Sequence, residues 1–397
     1  MAKTQDKIDT LLTRGVQDVV VRKDLEALLR SGKKLAVYLG FDPTSNRISL
    51  GNAVPLRKLR DFQRLGHRII FLVGSFTARI GDTSDKDAMR VPMSAQEIED
   101  NLKTYKKQAS KIIDFSKAKI VYNDKWLKKL SMGEVVELAQ QFTVQQMIER
   151  DMYQKRLSEG KPIGLHEFLY PLMQGYDSVE LEVDVEIGGN DQLFNMLAGR
   201  TLLKAYKNKV KHVVTTSLIE GLDGRKMSKS YGNTVDIADE PSDMYGKIMS
   251  LHDDLIVNYF KLCTDVSDEE IVKTEEALRA GDNPRNAKAR LAHTIVELYH
   301  SEKDAQKAEE AFDAVFRKGQ QPDDMRTVLR SELTNVASTA QVLVDAGLAP
   351  SKSEARRLIE QGGVKKDGKK VGEDFGEAPA GTVVRVGKRK FVKIEVK

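Results

Sequence analysis

Two lysines three residues apart, Lys226 and Lys229, stand in the run Lys226-Met-Ser-Lys-Ser230, just after Gly221-Leu-Asp-Gly224. A glycine-flanked loop of this kind can close over a triphosphate, and its paired ammonium groups would neutralise charge moving onto a departing pyrophosphate. A solvated basic loop is the bland alternative. The position, after the last strand signal and before a helical stretch, argues for chemistry instead. A second cluster, Ser49-Leu-Gly-Asn52, follows Gly40-Phe-Asp-Pro-Thr44 at the end of the first apolar run. A third cluster is Tyr170-Pro-Leu-Met-Gln174-Gly-Tyr-Asp177. On a helix Tyr170, Gln174 and Asp177 fall at i, i+4 and i+7 and share one face. Singly, each of these residues, like Tyr38 inside an apolar strand, would be unremarkable. Their order and spacing around one set of strands give them weight.

The elements that must position these residues alternate. Lys34–Phe41, Arg68–Phe76, Lys119–Tyr122, Val183–Ile187 and His212–Ile219 read as buried strands separated by helical patterns. That alternation predicts an α/β fold with a Rossmann-like parallel sheet and right-handed crossovers, whose ligands sit beyond the carboxyl ends of the strands. Pro55 is expected in the first turn of the helix that opens near Gly51, where proline is tolerated. Past residue 235 the strand signals stop, and Ser267-Asp-Glu-Glu270 caps a helix. The organisation expected is a catalytic domain over 1–235, a helical domain over 236–320, a linker over 321–334 and a small α+β module over 335–397. In that module Ser351 caps a helix bearing Arg356 and Arg357, and Asp367-Gly368 marks a two-residue hairpin.

Charge is unevenly placed. Residues 351–397 hold 13 Lys plus Arg against 7 Asp plus Glu, a net +6, which leaves the preceding 350 residues at −1 of the overall +5. A compact basic module on a near-neutral body suggests a polyanion partner, with RNA a natural candidate. The single cysteine, Cys263, excludes an intrachain disulfide and a multi-thiolate metal cluster. The six histidines are scattered, so no metal ligand set is expected. No apolar run reaches the roughly 20 residues a membrane span needs, and the N-terminus lacks a signal-peptide core. A cytoplasmic location is the expectation.

The pentapeptide Lys226–Ser230 matches the KMSKS loop of class I aminoacyl-tRNA synthetases letter for letter, and nearly the whole chain resembles the bacterial-type tyrosyl-tRNA synthetases of that class. Ser49–Asn52 stands at the family's HIGH motif: Gly51 matches, Asn52 replaces the second histidine and keeps a donor, and Ser49 replaces the first with a shorter, uncharged group. The resemblance implies catalytic roles for Lys226, Lys229, Asn52, Ser49 and Gln192, the last facing the reacting carboxylate. It implies that Gly40, Asp42, Gly51, Asn52, Gly189, Asp191, Lys226, Met227 and Lys229 bind ATP, with Asp191 on a ribose hydroxyl. It places Tyr38 and Asp177 at a substrate phenol, and Tyr170, Gln174, Asp82 and nearby Thr77 at its ammonium. The basic module resembles an S4-like RNA-binding domain. ATP with Mg²⁺, L-tyrosine and tRNA(Tyr) are the implied substrates, with no tightly bound cofactor. A homodimer joined around Gln96–Phe142 is implied as well.

Two other readings stay open. Tryptophan activation is one, although Tyr38 with Asp177 suits a phenol better than an indole. A synthetase-derived RNA-binding protein without catalysis is the other, prompted by Ser49. Within the first reading the substrate carboxylate is itself the nucleophile, so no general base is required and catalysis rests on alignment and charge stabilisation.

Overall fold

The computed structural model describes residues 2–82, 93–228, 231–317, 326–387 and 390–396. Lys229 and Ser230 lie outside them. The chain forms two compact units, Met1–Asp239 with Lys247–Tyr299, and Glu240–Gly246 with His300–Lys397.

The first unit is built on six strands: β1 (Val16–Val20), β2 (Ala36–Phe41), β3 (Arg68–Val73), β4 (Ala118–Tyr122), β5 (Val185–Gly189) and β6 (His212–Thr216), in the order β1-β6-β5-β2-β3-β4. All neighbours are parallel except β1, which runs antiparallel to β6. β2, β5 and β6 are buried along most of their length, as strands covered on both faces must be, with Glu186 in β5 and His212, Thr215 and Thr216 in β6 as buried polar residues. β1 carries no such signal, because its Val-Gln-Asp-Val-Val sequence occupies a partly exposed edge.

Helix α1 (Ala2–Thr13) precedes β1, and α2 (Leu50–Arg64) follows β2. Ser49 caps α2, its hydroxyl accepting from the Asn52 N–H while the Asn52 side chain reaches back to the Ser49 backbone. Pro55 lies inside this helix as its sixth residue, a turn later than expected. Its ring nitrogen therefore withholds a bond from the Gly51 carbonyl. α3 (Ala95–Ala109) crosses toward β4, and α4 (Leu169–Leu181) packs on α5 (Leu193–Lys207). α6 (Ile256–Cys263), α7 (Asp268–Arg279) and α8 (Pro284–Tyr299) complete the unit, with Ser267 capping α7 through the Glu270 N–H. The stretch expected as a helical domain, 236–320, is thus divided between the two units.

The second unit holds β7 (Arg326–Leu329), α9 (Thr339–Asp345), α10 (Lys352–Glu360), β8 (Val364–Lys366), β9 (Lys369–Lys370), β10 (Thr382–Val386) and β11 (Lys390–Glu395). Its sheet runs β7-β11-β10-β8-β9 around a core that includes Leu343, Ile359, Val384 and Ile394. Asp367 and Gly368 both take positive φ (46° and 81°), the mirror-image turn the hairpin signal implied. One expectation is corrected here. Part of the stretch read as a linker is strand β7, which pairs in parallel with β11. Its alternation is too short, four residues, to stand out beside polar neighbours.

Candidate active site

A cleft of about 480 Å³ opens at the carboxyl ends of β2, β5 and β6. Gly40, Asp42, Ser49, Gly51, Asn52, Asp82, Tyr170, Gln174, Gly189, Asp191, Gln192, Lys226 and Met227 all line it. Residues far apart in sequence are therefore assembled at one sheet edge, where open α/β sheets bind ligands.

At one end are the groups suited to a nucleotide. The Gly51 amide points to Met227 Sδ at 3.3 Å, which ties the N-terminus of α2 to the lysine-bearing loop. Lys226 Nζ lies 3.2 Å from Asp191 Oδ2. Gly189 lies directly against that carboxylate: an added Cβ would come within 2.5 Å of Asp191 Oδ1. Asn233 braces the loop, its amide donating to the Lys226 carbonyl (3.1 Å) and Asp223 (2.7 Å) while its carbonyl accepts from the Ser228 N–H (2.8 Å). With bonds from Asn233 and Arg225, the Asp223 carboxyl is held down to about 2. Ser49 Oγ both accepts from the Asn52 N–H (3.3 Å) and lies 3.0 Å from Asn52 Oδ1. The two residues expected as donors to a ligand are thus also a reciprocal helix cap.

The other end suits an amino acid. Asp42, expected on the nucleotide side, accepts from Thr77 Oγ1 (2.6 Å) and from the Tyr170 hydroxyl (2.9 Å). It thereby joins residues assigned to the ammonium. Gln192 Nε2 donates to Asp82 Oδ2 at 2.7 Å, and Gln192 Oε1 accepts from Asn195 Nδ2 at 3.1 Å. Gln174 Nε2 donates to Glu186 Oε1 at 3.3 Å, which turns Gln174 Oε1 away; that oxygen is buried and has no hydrogen-bond partner. Glu186 in turn forms an ion pair with Lys211, both side chains being essentially buried. Lys211 Nζ also donates to Ser178 Oγ (2.8 Å), which meets the Tyr38 hydroxyl at 3.0 Å.

Tyr38, Thr77 and Asp177 lie in a deeper, buried layer than the residues that line the cleft. Asp177 accepts from Trp126 Nε1 at 2.8 Å and from Asn123 Nδ2 at 3.2 Å. Burial still pushes its carboxyl well above the usual carboxylate range, against those two bonds, with Glu186 and Asp42 adding to the rise. Burial first, then Glu186 and Asp177, likewise drives the Tyr38 phenol far up. In both groups burial favours the protonated, uncharged form.

Of the loop's two lysines, Lys226 is the one placed in the cleft, and Lys229 falls outside the described residues. Sequence reading missed Trp126, Asn123, Ser178, Glu186, Lys211 and Asn233. Only Asn123 had a usable signal, its place just beyond the carboxyl end of β4.

The family described as "tRNA synthetases class I (W and Y)" matches residues 30–317, and an S4 domain matches residues 340–374. The chain is 45% identical to a tyrosine–tRNA ligase of Thermotoga maritima over 97% of its own length and 96% of that protein. It is 46% identical to one from Moorella thermoacetica over 97% and 94%. In fold it resembles a C-terminally truncated mitochondrial tyrosyl-tRNA synthetase of Aspergillus nidulans, with TM-score 0.67 at 23% identity, covering 79% of this chain and 98% of that one. A family match over most of the chain and a relative near half identity along almost all of it coincide: the chain belongs to the tyrosine–tRNA ligases, class I tRNA synthetases with a C-terminal S4 domain.

Proposed function

We propose that the cleft activates L-tyrosine with ATP, giving tyrosyl-adenylate and pyrophosphate, and that tyrosine then passes to the 3′ end of tRNA(Tyr). The observation that carries this reading is the buried Gln174 Oε1, an acceptor without a partner between Tyr170 and Glu186. A buried polar atom is normally hydrogen-bonded, and a substrate ammonium would satisfy this one. Asp82, held by Gln192, adds negative charge on the same side. The phenol of tyrosine would then reach toward Tyr38 and Asp177. Phenylalanine would leave those buried groups without its hydroxyl, which is costly.

The tyrosine carboxylate attacks the α-phosphorus of ATP as the bond to the pyrophosphate oxygen breaks. Gln192 positions the carboxylate. Lys226 leaves Asp191 and stabilises charge on the departing pyrophosphate, while Asp191 takes the ribose hydroxyls. Lys229 is assigned the same charge-stabilising role as Lys226. Gly51 and Asn52 hold the nucleotide against α2, and ATP enters as its Mg²⁺ complex. The terminal ribose hydroxyl of the transfer RNA then attacks the tyrosyl carbonyl and AMP leaves.

Lys352, Arg356, Arg357, Lys369 and Lys370 are exposed on the S4 unit and are assigned to RNA phosphates. A homodimer through the 96–142 stretch is supported by the exposure of Met132 (79%) and Val136 (50%). No helix among the described residues is long and apolar enough to cross a membrane. The test is exchange of labelled pyrophosphate into ATP with tyrosine, tryptophan and phenylalanine in parallel. Exchange with tyrosine alone is expected. Exchange with tryptophan would move the assignment to the sister specificity, and none at all would favour a non-catalytic RNA-binding role.

A further inference from the structure

A second concavity, of about 490 Å³, is walled by α1, by a different face of α2 from the one at the cleft, and by the end of α6 with the residues after it. Val54 lines it, whereas Pro55 beside it lines the cleft. Of its 16 lining residues seven are cationic and two anionic. Three guanidiniums converge on one carboxylate. Arg57 Nη2 and Arg60 Nη2 reach Asp265 Oδ1 at 2.5 and 2.7 Å, and Arg64 reaches Oδ2 at 3.3 Å. Lys58 Nζ donates to the Leu11 carbonyl at 2.8 Å, and its Asp61 partner is 3.9 Å away. Arg14 spends its donors on the carbonyls of Lys261 (3.1 Å) and Thr264 (2.9 Å), and meets Asp268 at 3.5 Å.

Joining α2 to the segment after α6 needs one arginine on Asp265, not three. The dipole at the C-terminus of α2 favours a cation in its last turn and so accounts for Arg64. It does not account for Arg14, Lys58 and Lys261. Like charges packed this densely repel and destabilise the compact state unless something neutralises them. Burial, with Arg14, Arg60 and Arg57 pressing the same way, holds the Lys58 ammonium down to about 8.

We propose that this pocket binds a small multivalent anion of the phosphate class, a free di- or triphosphate, at a site separate from the nucleotide cleft. Guanidinium forks suit phosphate oxygens, and the volume lies in the range of about 300–1,000 Å³ usual for small-molecule sites. Arg14, Arg57 and Lys58 are largely buried within it, too deep for a polymer backbone lying across the surface. The inference does not depend on which amino acid the cleft activates.

The experiment is calorimetric titration of the full chain with inorganic pyrophosphate, without Mg²⁺, at constant ionic strength and pH 8. It is run in two buffers of different ionisation enthalpy. Lys226→Ala weakens the cleft and should leave one equivalent bound, with proton uptake as Lys58 gains a counter-charge. Arg64→Ala combined with Lys261→Ala keeps Arg57 and Arg60 on Asp265. It should weaken that equivalent at least tenfold, the order expected for one lost charge-assisted hydrogen bond. Lys58→Met should abolish the proton uptake. The proposal is overturned if Lys226→Ala binds no pyrophosphate, or if the double variant binds it as tightly as the parent. It is equally overturned if the double variant loses only transfer-RNA affinity, which would make the pocket a nucleic-acid contact.

Discussion

Lys211→Met tests whether the buried Lys211–Glu186 pair organises the amino-acid end of the cleft. Methionine keeps most of the length and volume, so the change is chiefly the loss of charge and of the bond to Ser178. Glu186, 2% exposed at its side chain, would then be a buried carboxylate held by the 3.3 Å bond from Gln174 and by the Tyr38 hydroxyl. Breaking one side of a buried ion pair typically costs about 3–5 kcal/mol, against a total stability of about 5–15 kcal/mol for an ordinary domain. Adding Glu186→Gln removes the stranded charge while keeping an acceptor for Gln174. The double variant should therefore recover to within about 1–2 kcal/mol of the parent, the scale of a neutral hydrogen bond. Trp126 is the chain's one tryptophan and sits on Asp177, so its fluorescence follows unfolding in urea at the site itself. In pyrophosphate exchange the single variant should raise the KM for tyrosine about tenfold, equivalent to about 1.4 kcal/mol, with the KM for ATP little changed. A single variant within about 1 kcal/mol of the parent, or a double variant less stable than the single, would refute the reasoning.

Asp177→Asn should stabilise the fold while damaging tyrosine activation. The native carboxyl titrates above its unfolded value of about 3.9, so native stability is full below that pH and falls as pH rises toward the raised value. Thermal unfolding should show the variant ahead of the parent at pH 8 and level with it near pH 4; equal melting at both would contradict the assignment. Ser49→His removes a helix cap worth about 0.5–2 kcal/mol and places an imidazole where the family has one. A lower unfolding midpoint with faster adenylate formation is expected, and an unchanged or slower rate would mean that the site has been rebuilt around serine. Deleting Asn335–Lys397 should impair aminoacylation far more than adenylate formation. Equal losses in the two assays would remove the S4 unit from RNA binding.

The parts of this molecule that could be read from sequence are those in which a physical demand falls on consecutive residues. β2 must be largely apolar because both faces are covered, and Asp367-Gly368 must adopt positive φ to turn a hairpin. The helix face carrying Tyr170, Gln174 and Asp177 follows from the helical repeat of about 3.6 residues per turn. What stayed hidden is satisfied across distance. Lys211 pairs with Glu186 on the neighbouring strand, and Trp126 and Asn123 hold Asp177 from the far side of the sheet order. No local pattern marks such pairs, since each member alone is an ordinary residue in an ordinary element. β1 escaped notice for the opposite reason: an edge strand is released from the demand that makes its neighbours legible. Ser49 and Asn52 show a third case, in which the sequence signal was read but only half understood. A serine three residues before an asparagine at a helix start is a cap as well as a pair of donors. The cap fixes the N-terminus of α2 beside the cleft, so the residue that shortens the reach of position 49 also anchors the helix whose first turn lines that cleft. Position and chemistry are coupled there. A variant at residue 49 therefore has to be read by stability and rate together, because either one alone would assign the serine to a single role.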